Sequence, residues 1–283
     1  MTRRSVILMG GPDSGKTNFV GRLWHALDAR AGALHAAVQP EDISFVLDTA
    51  DHLFEGHFAP RTEHSDRRDF EVTVVPAVGG DETKILIPDI RGELWQRAVM
   101  DSEISADWMD ELERADGALL FVRVNSDLNV SPLDWVTSQR LLQHVGADEA
   151  RDKLPTQVML IELIRFLELT LADRPNGGKP RLSVVVSAWD LVDAEVRAAG
   201  PKAFIAREYP MLGGRLHDTS RLDVRIFGLS VVGGDLTEDD DYRQEFMAAG
   251  LDGHGWVYAY DSVCNEWKCD ADVTLPVAWV VGA

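Results

Sequence analysis

Short apolar runs and longer segments of helical periodicity alternate along most of this chain. The apolar runs are rich in β-branched residues and end at charged residues, glycine or proline, which is typical of buried strands. They predict strands at residues 5–9, 70–78, 84–88, 117–124, 182–187 and 224–229. One-sided apolar spacing of the helical period predicts helices at residues 16–30, 43–54, 93–114 and 156–172.

This order of elements predicts the fold class. Strands that alternate with helices form a mostly parallel sheet with helices on both faces, a three-layer α/β/α sandwich. The strands at 70–78 and 84–88 are joined by Gly-Gly-Asp at 79–81, which predicts a hairpin and therefore one antiparallel edge strand. The sequence Ser-Pro-Leu-Asp at 131–134 predicts a further helix start.

The length of 283 residues suits a single elaborated domain that spans 1–283. This is more than a minimal domain of this pattern needs, and the excess predicts insertions near 125–152, 200–222 and 235–272. Acidic residues dominate 235–241, which predicts a solvated loop. The apolar segment 275–283 predicts a last strand or helix docked on the sheet, the alternative being an exposed patch for a partner.

The net charge, the apolar runs and the cysteines bear on nucleic-acid binding, membrane association and metal binding. The net charge of -19 argues against general binding to nucleic acid or to an anionic membrane surface. No apolar run is long enough for membrane insertion, and the start of the chain lacks a signal-peptide core, so we expect a cytoplasmic protein. Cys264 and Cys269 provide, with His254, at most three loosely spaced metal ligands, and two unpaired thiols are the expectation.

The most specific motif is Gly-Gly-Pro-Asp-Ser-Gly-Lys-Thr at 10–17, which fits GxxxxGK[ST] and directly follows the first strand. In such a loop, glycines let backbone N–H groups converge on phosphate oxygens. Lys16 would neutralise the terminal phosphates, and the Thr17 hydroxyl would hold Mg²⁺. The sandwich is thus expected to be a P-loop NTPase. Its candidate phosphate-site contacts are Gly11, Pro12, Asp13, Ser14, Gly15, Lys16, Thr17 and Asn18.

A second motif follows the strand at 84–88, where Asp89 and Gly92 have the spacing DxxG. Asp89 could hold Mg²⁺ through water, and the Gly92 N–H could approach a γ-phosphate without a side chain in the way. With both motifs in this order, the chain resembles P-loop GTPases of the Ras-like and translation-factor class. In that class, such a DxxG segment is the second switch.

The resemblance implies a guanine-binding segment at 187–190, Ser-Ala-Trp-Asp, where the family has Asn-Lys-x-Asp. Asp190 would accept hydrogen bonds from guanine N1 and N2. Ser187 and Ala188 depart from the family, which removes an amide that braces the phosphate loop and an aliphatic stem that covers the base. Trp189 either stacks on the base in place of that stem or packs into the core.

The family has two more motifs, both short. Ser230 and Val231 follow the strand at 224–229, where the family has a Ser-Ala loop whose backbone N–H meets guanine O6. Thr62 has the right topological place for the first-switch threonine that binds Mg²⁺. Arg61 beside it is either an internal arginine finger or a solvated loop arginine.

Glu93 occupies the position where the family often has a water-positioning Gln or His. Its carboxylate could orient or deprotonate water, but it adds negative charge beside a polyanion and so predicts slow turnover. Hydrolysis would then depend on Lys16 and Gly92 together with Arg61, Arg91 or a residue from a partner. The translation-factor class also has an Asp at the position of Asp13, to which we assign a loop-shaping role.

The resemblance implies a cytoplasmic switch that binds GTP or GDP with Mg²⁺, hydrolyses GTP slowly and acts with a protein partner or effector. The chain is also similar to the bacterial double-GTPase families found in multi-gene systems. Two alternatives stay open. One is a P-loop ATPase or kinase, which would not need Asp190, and the other is a scaffold that holds nucleotide without hydrolysing it.

Overall fold

The computed structural model describes residues 2–40, 42–59, 67–90, 92–101, 103–104, 106–132, 154–174 and 176–283. In these residues, nine strands form one sheet in the order β2-β3-β4-β1-β5-β6-β7-β8-β9. The strands are β1 (Thr2–Gly10), β2 (Leu34–Val38), β3 (Arg67–Pro76), β4 (Thr83–Ile90), β5 (Gly117–Arg123), β6 (Arg181–Ser187), β7 (Asp223–Ser230), β8 (Trp256–Asp261) and β9 (Glu266–Asp270).

Nine α-helices flank this sheet in the described part of the chain. They are α1 (Lys16–Asp28), α2 (Ser44–Phe54), α3 (Gly92–Asp101), α4 (Ala106–Arg114), α5 (Thr156–Thr170), α6 (Ala194–Glu208), α7 (Pro210–Asp218), α8 (Asp240–Ala249) and α9 (Leu275–Val281). None of these helices has both the length and the apolar character needed to span a bilayer.

The sheet is parallel at its centre and antiparallel at both edges. The strands β4, β1, β5, β6 and β7 pair in parallel, as alternation with helices predicts. The hairpin of β3 and β4 is confirmed, but β2 extends that edge, and β8 and β9 form a second antiparallel edge. The α/β sandwich is therefore confirmed, whereas the expectation of one antiparallel edge strand is wrong, because β2 and β9 have weak apolar patterns.

Two helix predictions need correction or lie outside the described residues. Residues 93–114 were expected to form one helix, but α3 ends at Asp101 and α4 begins at Ala106. The intervening sequence Ser-Glu-Ile-Ser contains two serines, which favour helix ends over helix interiors. Of the helix start predicted at 131–134, residues 133 and 134 lie outside the described part of the chain, as does the segment up to 153.

Each face of the sheet has its own apolar core. In β1, Val6 and Leu8 belong to one core, and Ile7 and Met9 belong to the other, because side chains alternate along a strand. The helices α1, α2, α8 and α9 cover the first face, and α3 to α7 cover the second. These two layers of helix leave the carboxyl ends of the parallel strands free to form a site at one edge.

Two of the three segments predicted as insertions contain secondary structure and contact each other, and most of the third, 125–152, lies outside the described residues. Residues 200–222 lie largely in α6 and α7, and residues 235–272 contain α8, β8 and β9. Gly200 has φ +85°, and a Cβ there would lie 2.2 Å from Nε1 of Trp267 in β9. The acidic segment is only partly a loop, because the Asp239 side chain caps α8 by accepting a bond of 2.9 Å from the Tyr242 N–H.

The apolar end of the chain docks on the sheet as α9, as expected. The Ser183 Oγ of β6 donates a hydrogen bond of 2.9 Å to the Pro276 carbonyl. Trp279 is 9% exposed, and the guanidinium groups of Arg181 and Arg225 lie 5.2 and 5.3 Å from its ring centroid. Apolar burial and two cation–π contacts therefore hold α9 in place.

Replacing Trp279 tests how much this docking stabilises the fold. We expect Trp279→Ala to lower the free energy of unfolding by about 3–5 kcal/mol, measured by urea denaturation, because it leaves a large cavity under two arginines. Val263→Ala is the control, since Val263 is 92% exposed in the β8–β9 turn. A Trp279 variant as stable as this control would contradict the docking.

Candidate functional site

The loop between β1 and α1 has the backbone conformation that an anion-binding loop needs. Asp13 and Gly15 have φ of +61° and +85°, so the chain turns tightly before α1 begins at Lys16. A Cβ on Gly10 would lie 2.8 Å from the Phe121 carbonyl oxygen and 2.9 Å from the Ser14 Oγ. The backbone here tolerates no side chain, and its N–H groups and the start of α1 fit a phosphate group.

Lys16 lies folded over this loop and is only 6% exposed. Its Nζ donates to the carbonyl oxygens of Gly10 and Gly11, each at 3.1 Å, and to the Ser14 Oγ at 3.0 Å. These contacts hold an ammonium group at the mouth of the loop, where it can neutralise phosphate charge. The predicted phosphate contacts Gly11 to Thr17 therefore lie together, with Thr17 half-buried in the first turn of α1.

Asn18 has a contact that the sequence motif did not predict. Its Oδ1 accepts a hydrogen bond of 2.9 Å from the Ala59 backbone N–H. Ala59 directly precedes residues 60–66, which include the predicted first-switch residues Thr62 and Arg61 and lie outside the described part of the chain. Asn18 thus connects α1 to the residue that directly precedes that segment.

Asp13 forms a small polar cluster with the end of β5. The Nε of Arg123 lies 3.5 Å from the Asp13 Oδ2, and the Ser126 Oγ donates to the same oxygen at 3.4 Å. This geometry fits the loop-shaping role better than contact with phosphate, because a carboxylate repels phosphate oxygens. Arg123 brings a cation close to the loop, and sequence analysis missed it because no motif marks the position.

The DxxG segment lies at the same edge of the sheet. In the parallel pair, Ser5 of β1 is opposite Leu86 of β4, so Asp89 is three residues further toward the carboxyl end of β4. Gly92 and Glu93 form the first turn of α3 directly beyond it, whereas Arg91 lies outside the described residues. The backbone of this segment therefore ends beside the phosphate loop.

The hydrogen bond that Ser187 makes differs from what the sequence predicted. We expected that replacing the family's Asn at this position would remove the brace on the phosphate loop. Instead, the buried Ser187 Oγ donates a hydrogen bond of 2.8 Å to the Ser14 carbonyl. A shorter side chain makes the brace, and it ties the end of β6 directly to the loop.

Trp189 is wrongly assigned to the base site, and its alternative, core packing, is correct. Its ring is fully buried, packs edge-on against Phe204 at 5.5 Å, and would clash with any Cβ on Gly228. Ala188 has φ +56°, a left-handed conformation that turns the chain after β6. This turn directs Trp189 into the core and leaves no room for it to stack on a base.

Asp190 and Ser230 follow the ends of the adjacent strands β6 and β7 and lie close together. The Ser230 Oγ accepts a bond of 2.8 Å from the Gly233 N–H. Burial raises the pKa of Asp190 above its ordinary value, although the polar Ser230 side chain beside it favours the charged form. Val231 is 9% exposed beside them, so only its backbone suits ligand contact.

Cys264 and His254 have different contact partners. Both cysteines are free and exposed, and the Cys264 Sγ accepts a hydrogen bond from Lys268 at 3.2 Å. His254 instead contacts Tyr242 at 3.1 Å. Among the described residues, no cluster of three or more His, Cys, Asp or Glu side chains is suited to hold a metal ion.

The geometry also defines what this edge of the sheet can bind. A glycine-lined loop with a buried lysine suits a chain of phosphates, and the half-buried Asp190 carboxylate suits a base that presents two N–H donors. Ser187 and Ser14 join these two halves through one hydrogen bond. The residues present therefore fit a guanine nucleotide, and the hydroxyl of Thr17 and a carboxylate at 89 are oxygen donors that suit Mg²⁺.

Comparison with known proteins agrees with this geometry. A comparison with curated proteins found no match to the chain. The model of the family described as Double-GTPase 1 matches residues 7–280, which include the phosphate loop, the DxxG segment, Asp190 and Ser230. A match over nearly the whole chain identifies this protein as a member of the Double-GTPase 1 family, a family of GTP-binding P-loop proteins.

Proposed function

We propose that this chain is a GTP-operated switch that binds Mg²⁺, hydrolyses GTP slowly and acts with a protein partner in the cytoplasm. The observation that carries the proposal is the hydrogen bond of 2.8 Å from Ser187 to Ser14. This bond fixes the distance between a loop suited to phosphates and Asp190, which is suited to guanine. Free thiols at Cys264 and Cys269 agree with a reducing compartment.

In this proposal, residues 11–18 surround the phosphates and Asp190 reads the guanine N1 and N2 groups. The Val231 backbone N–H approaches the guanine O6, and Ser230 orients Asp190. Trp189 has no role at the base. The family's lysine stem over the base has no equivalent at Ala188, so we expect base affinity to depend strongly on the Asp190 hydrogen bonds.

Thr17, Asp89 and Thr62 are the proposed Mg²⁺ ligands, with Asp89 acting through water. A bound Mg²⁺ would supply positive charge at the phosphate oxygens.

Lys16 and the Gly92 N–H would stabilise the γ-phosphate, and Glu93 would orient water while adding unfavourable negative charge. We therefore propose slow hydrolysis that a cation accelerates, either Arg61 in this chain or an arginine from the partner.

The hydrogen bond from Ala59 to Asn18 supports a switching role. It connects the helix that holds Lys16 and Thr17 to the segment that precedes Thr62. A change in phosphate occupancy could therefore alter the order of that segment through a contact that already exists. A scaffold that never hydrolyses GTP would bind through the same residues, and only release of phosphate distinguishes the two.

Replacing Lys16 tests the phosphate site. We expect Lys16→Ala to abolish detectable GTP and GDP binding in isothermal titration, because it removes the only cation held inside the loop among the described residues. Lys179→Ala, at an exposed lysine, should bind like the wild type. Normal GTP affinity in Lys16→Ala would contradict the assignment, and wild-type preference for ATP would support the ATPase or kinase alternative.

Asp190→Asn tests base recognition. We expect GDP binding to weaken by about 1.5–3 kcal/mol, because a charged acceptor of two hydrogen bonds is lost. The affinity of the wild type should also rise with pH, since burial raises the pKa of the free Asp190 and only the charged form accepts both bonds. The asparagine variant should lose this part of the pH dependence, and unchanged affinity would assign base reading to another residue.

Glu93→Gln tests the origin of slow turnover. We expect single-turnover phosphate release to become several-fold faster, because a neutral amide can still orient water without the carboxylate charge. Glu82→Gln, at an exposed position in the β3–β4 turn, is the control. A slower Glu93 variant would instead identify Glu93 as a general base, and no phosphate release over hours from either protein would favour the scaffold.

A further inference from the structure

Arg22 lies in the middle of α1 and is only 5% exposed, although it is a charged residue. Its Nη2 donates a hydrogen bond of 2.7 Å to the His254 carbonyl. Its Nε and Nη1 are buried and have no hydrogen-bond partner among the described residues. Burial lowers the pKa of Arg22 to about 10, and Asp252 opposes that shift.

This burial does not serve folding alone. A buried guanidinium with two unpartnered nitrogens is costly, and an apolar side chain of similar size is often at least as stabilising at such a site. The free energy of folding therefore does not explain why α1 has an arginine here. The bond to the His254 carbonyl is the specific contact that an apolar residue could not make.

The turn at 251–255, which Arg22 contacts, is fixed closely against α1. Gly255 has φ +77°, and a Cβ there would lie 2.4 Å from the Val231 carbonyl oxygen and 3.1 Å from the Arg22 Nε. A second contact joins the same two elements, the bond of 2.9 Å between His25 and Asp252, but Asp252 is 84% exposed. Arg22 is the buried member of this pair of contacts and therefore the stronger one.

His254 in turn contacts Tyr242 of α8. The Tyr242 hydroxyl lies 3.1 Å from the His254 Nδ1 and donates its proton to the Val232 carbonyl at 2.7 Å. Since that proton is used, the hydroxyl accepts from a protonated His254 Nδ1. Tyr242 therefore holds the loop that follows β7 from one side while His254 holds Tyr242 from the other.

Tyr242 also packs directly on that loop. Any Cβ on Gly233 or Gly234 would lie within 2.7 Å of the Tyr242 side chain. The Gly233 N–H donates to the Ser230 Oγ at 2.8 Å, and the Ser230 side chain lies beside the Asp190 carboxylate and favours its charged form. Burial raises the pKa of Tyr242, and the nearby charge of Asp190 adds to this shift. An unbroken set of contacts thus runs from Arg22 to the carboxylate at the base site.

We propose that Arg22 is a positioning residue for guanine recognition, which acts through His254 and Tyr242 to hold Ser230 and Asp190 in place. This inference rests on the proposed function, because it assumes that Asp190 reads guanine. It assigns a role to the insertion at 235–272, which supplies both Tyr242 and His254. It also links the helix that begins at the phosphate loop to the base site.

The test compares GDP with inosine diphosphate, which lacks the exocyclic amino group, by isothermal titration on the full chain. In the wild type we expect GDP to bind about tenfold or more tightly, since Asp190 gains a charged hydrogen bond. In Arg22→Met, the GDP affinity should fall about tenfold while the inosine diphosphate affinity falls much less, so that the ratio approaches one. A merely structural role would weaken both nucleotides equally.

Three variants complete the design. Arg22→Lys keeps a donor for the His254 carbonyl and should restore much of the GDP preference. Tyr242→Phe keeps the ring and removes the hydroxyl, so it should lower the same ratio, and it is the test if Arg22→Met fails to fold. Arg114→Met, at an arginine whose side chain is 73% exposed on α4, should match the wild type.

Each outcome bears on a different claim. A wild type that binds ADP as well as GDP overturns the proposed function, and this inference with it. A wild type that prefers GDP, with an unchanged ratio in both Arg22→Met and Tyr242→Phe, overturns only the inference. A reduced ratio in either variant, with the urea midpoint of that variant near the wild-type value, supports it.

Discussion

The hydrogen bond between the Ser187 hydroxyl and the Ser14 carbonyl connects the two halves of the site. Ser14 also accepts from Lys16 through its own hydroxyl, so one small residue holds both the lysine and the end of β6. The parallel register makes this possible, because β1, β5 and β6 end at the same edge of the sheet. Without that common edge, the phosphate loop and Asp190 would have no fixed separation.

The sequence predictions that succeeded concern features that short-range patterns specify. The centre of the sheet and the phosphate loop follow from short-range patterns, namely β-branched runs and a glycine-rich motif of fixed spacing. The antiparallel edges were underestimated because β9 reads Glu-Trp-Lys-Cys-Asp, a short strand whose apolar face consists of only Trp267 and Cys269. Its pairing depends on β8 and on contact with Gly200, and such long-range contacts leave no periodic signal in the sequence.

The site residues also differ in how far motif spacing predicts their positions and contacts. Motif spacing was sufficient to bring Lys16, Asp190 and Ser230 to one edge, but it assigned Trp189 to the base and denied Ser187 a bracing role. The two errors have different origins, because Trp189 follows the turn at Ala188, where φ is +56°, whereas Ser187 is the last residue of β6. A family pattern specifies residue types, whereas the turn at Ala188 directs Trp189 into the core and the end of β6 brings the Ser187 hydroxyl to the loop.

Residues 235–272 couple the proposed base site to other elements of the fold. In a minimal fold, the loop after the last parallel strand would depend only on its own backbone. Here Tyr242 packs on Gly233 and Gly234, and the turn at 251–255 is fastened to α1 by a buried arginine. The phosphate loop begins the same helix, so both ends of a bound nucleotide would contact elements that α1 holds in common. Rigid coupling of this kind favours discrimination between bases, because a loop that cannot yield cannot compensate for a missing hydrogen bond.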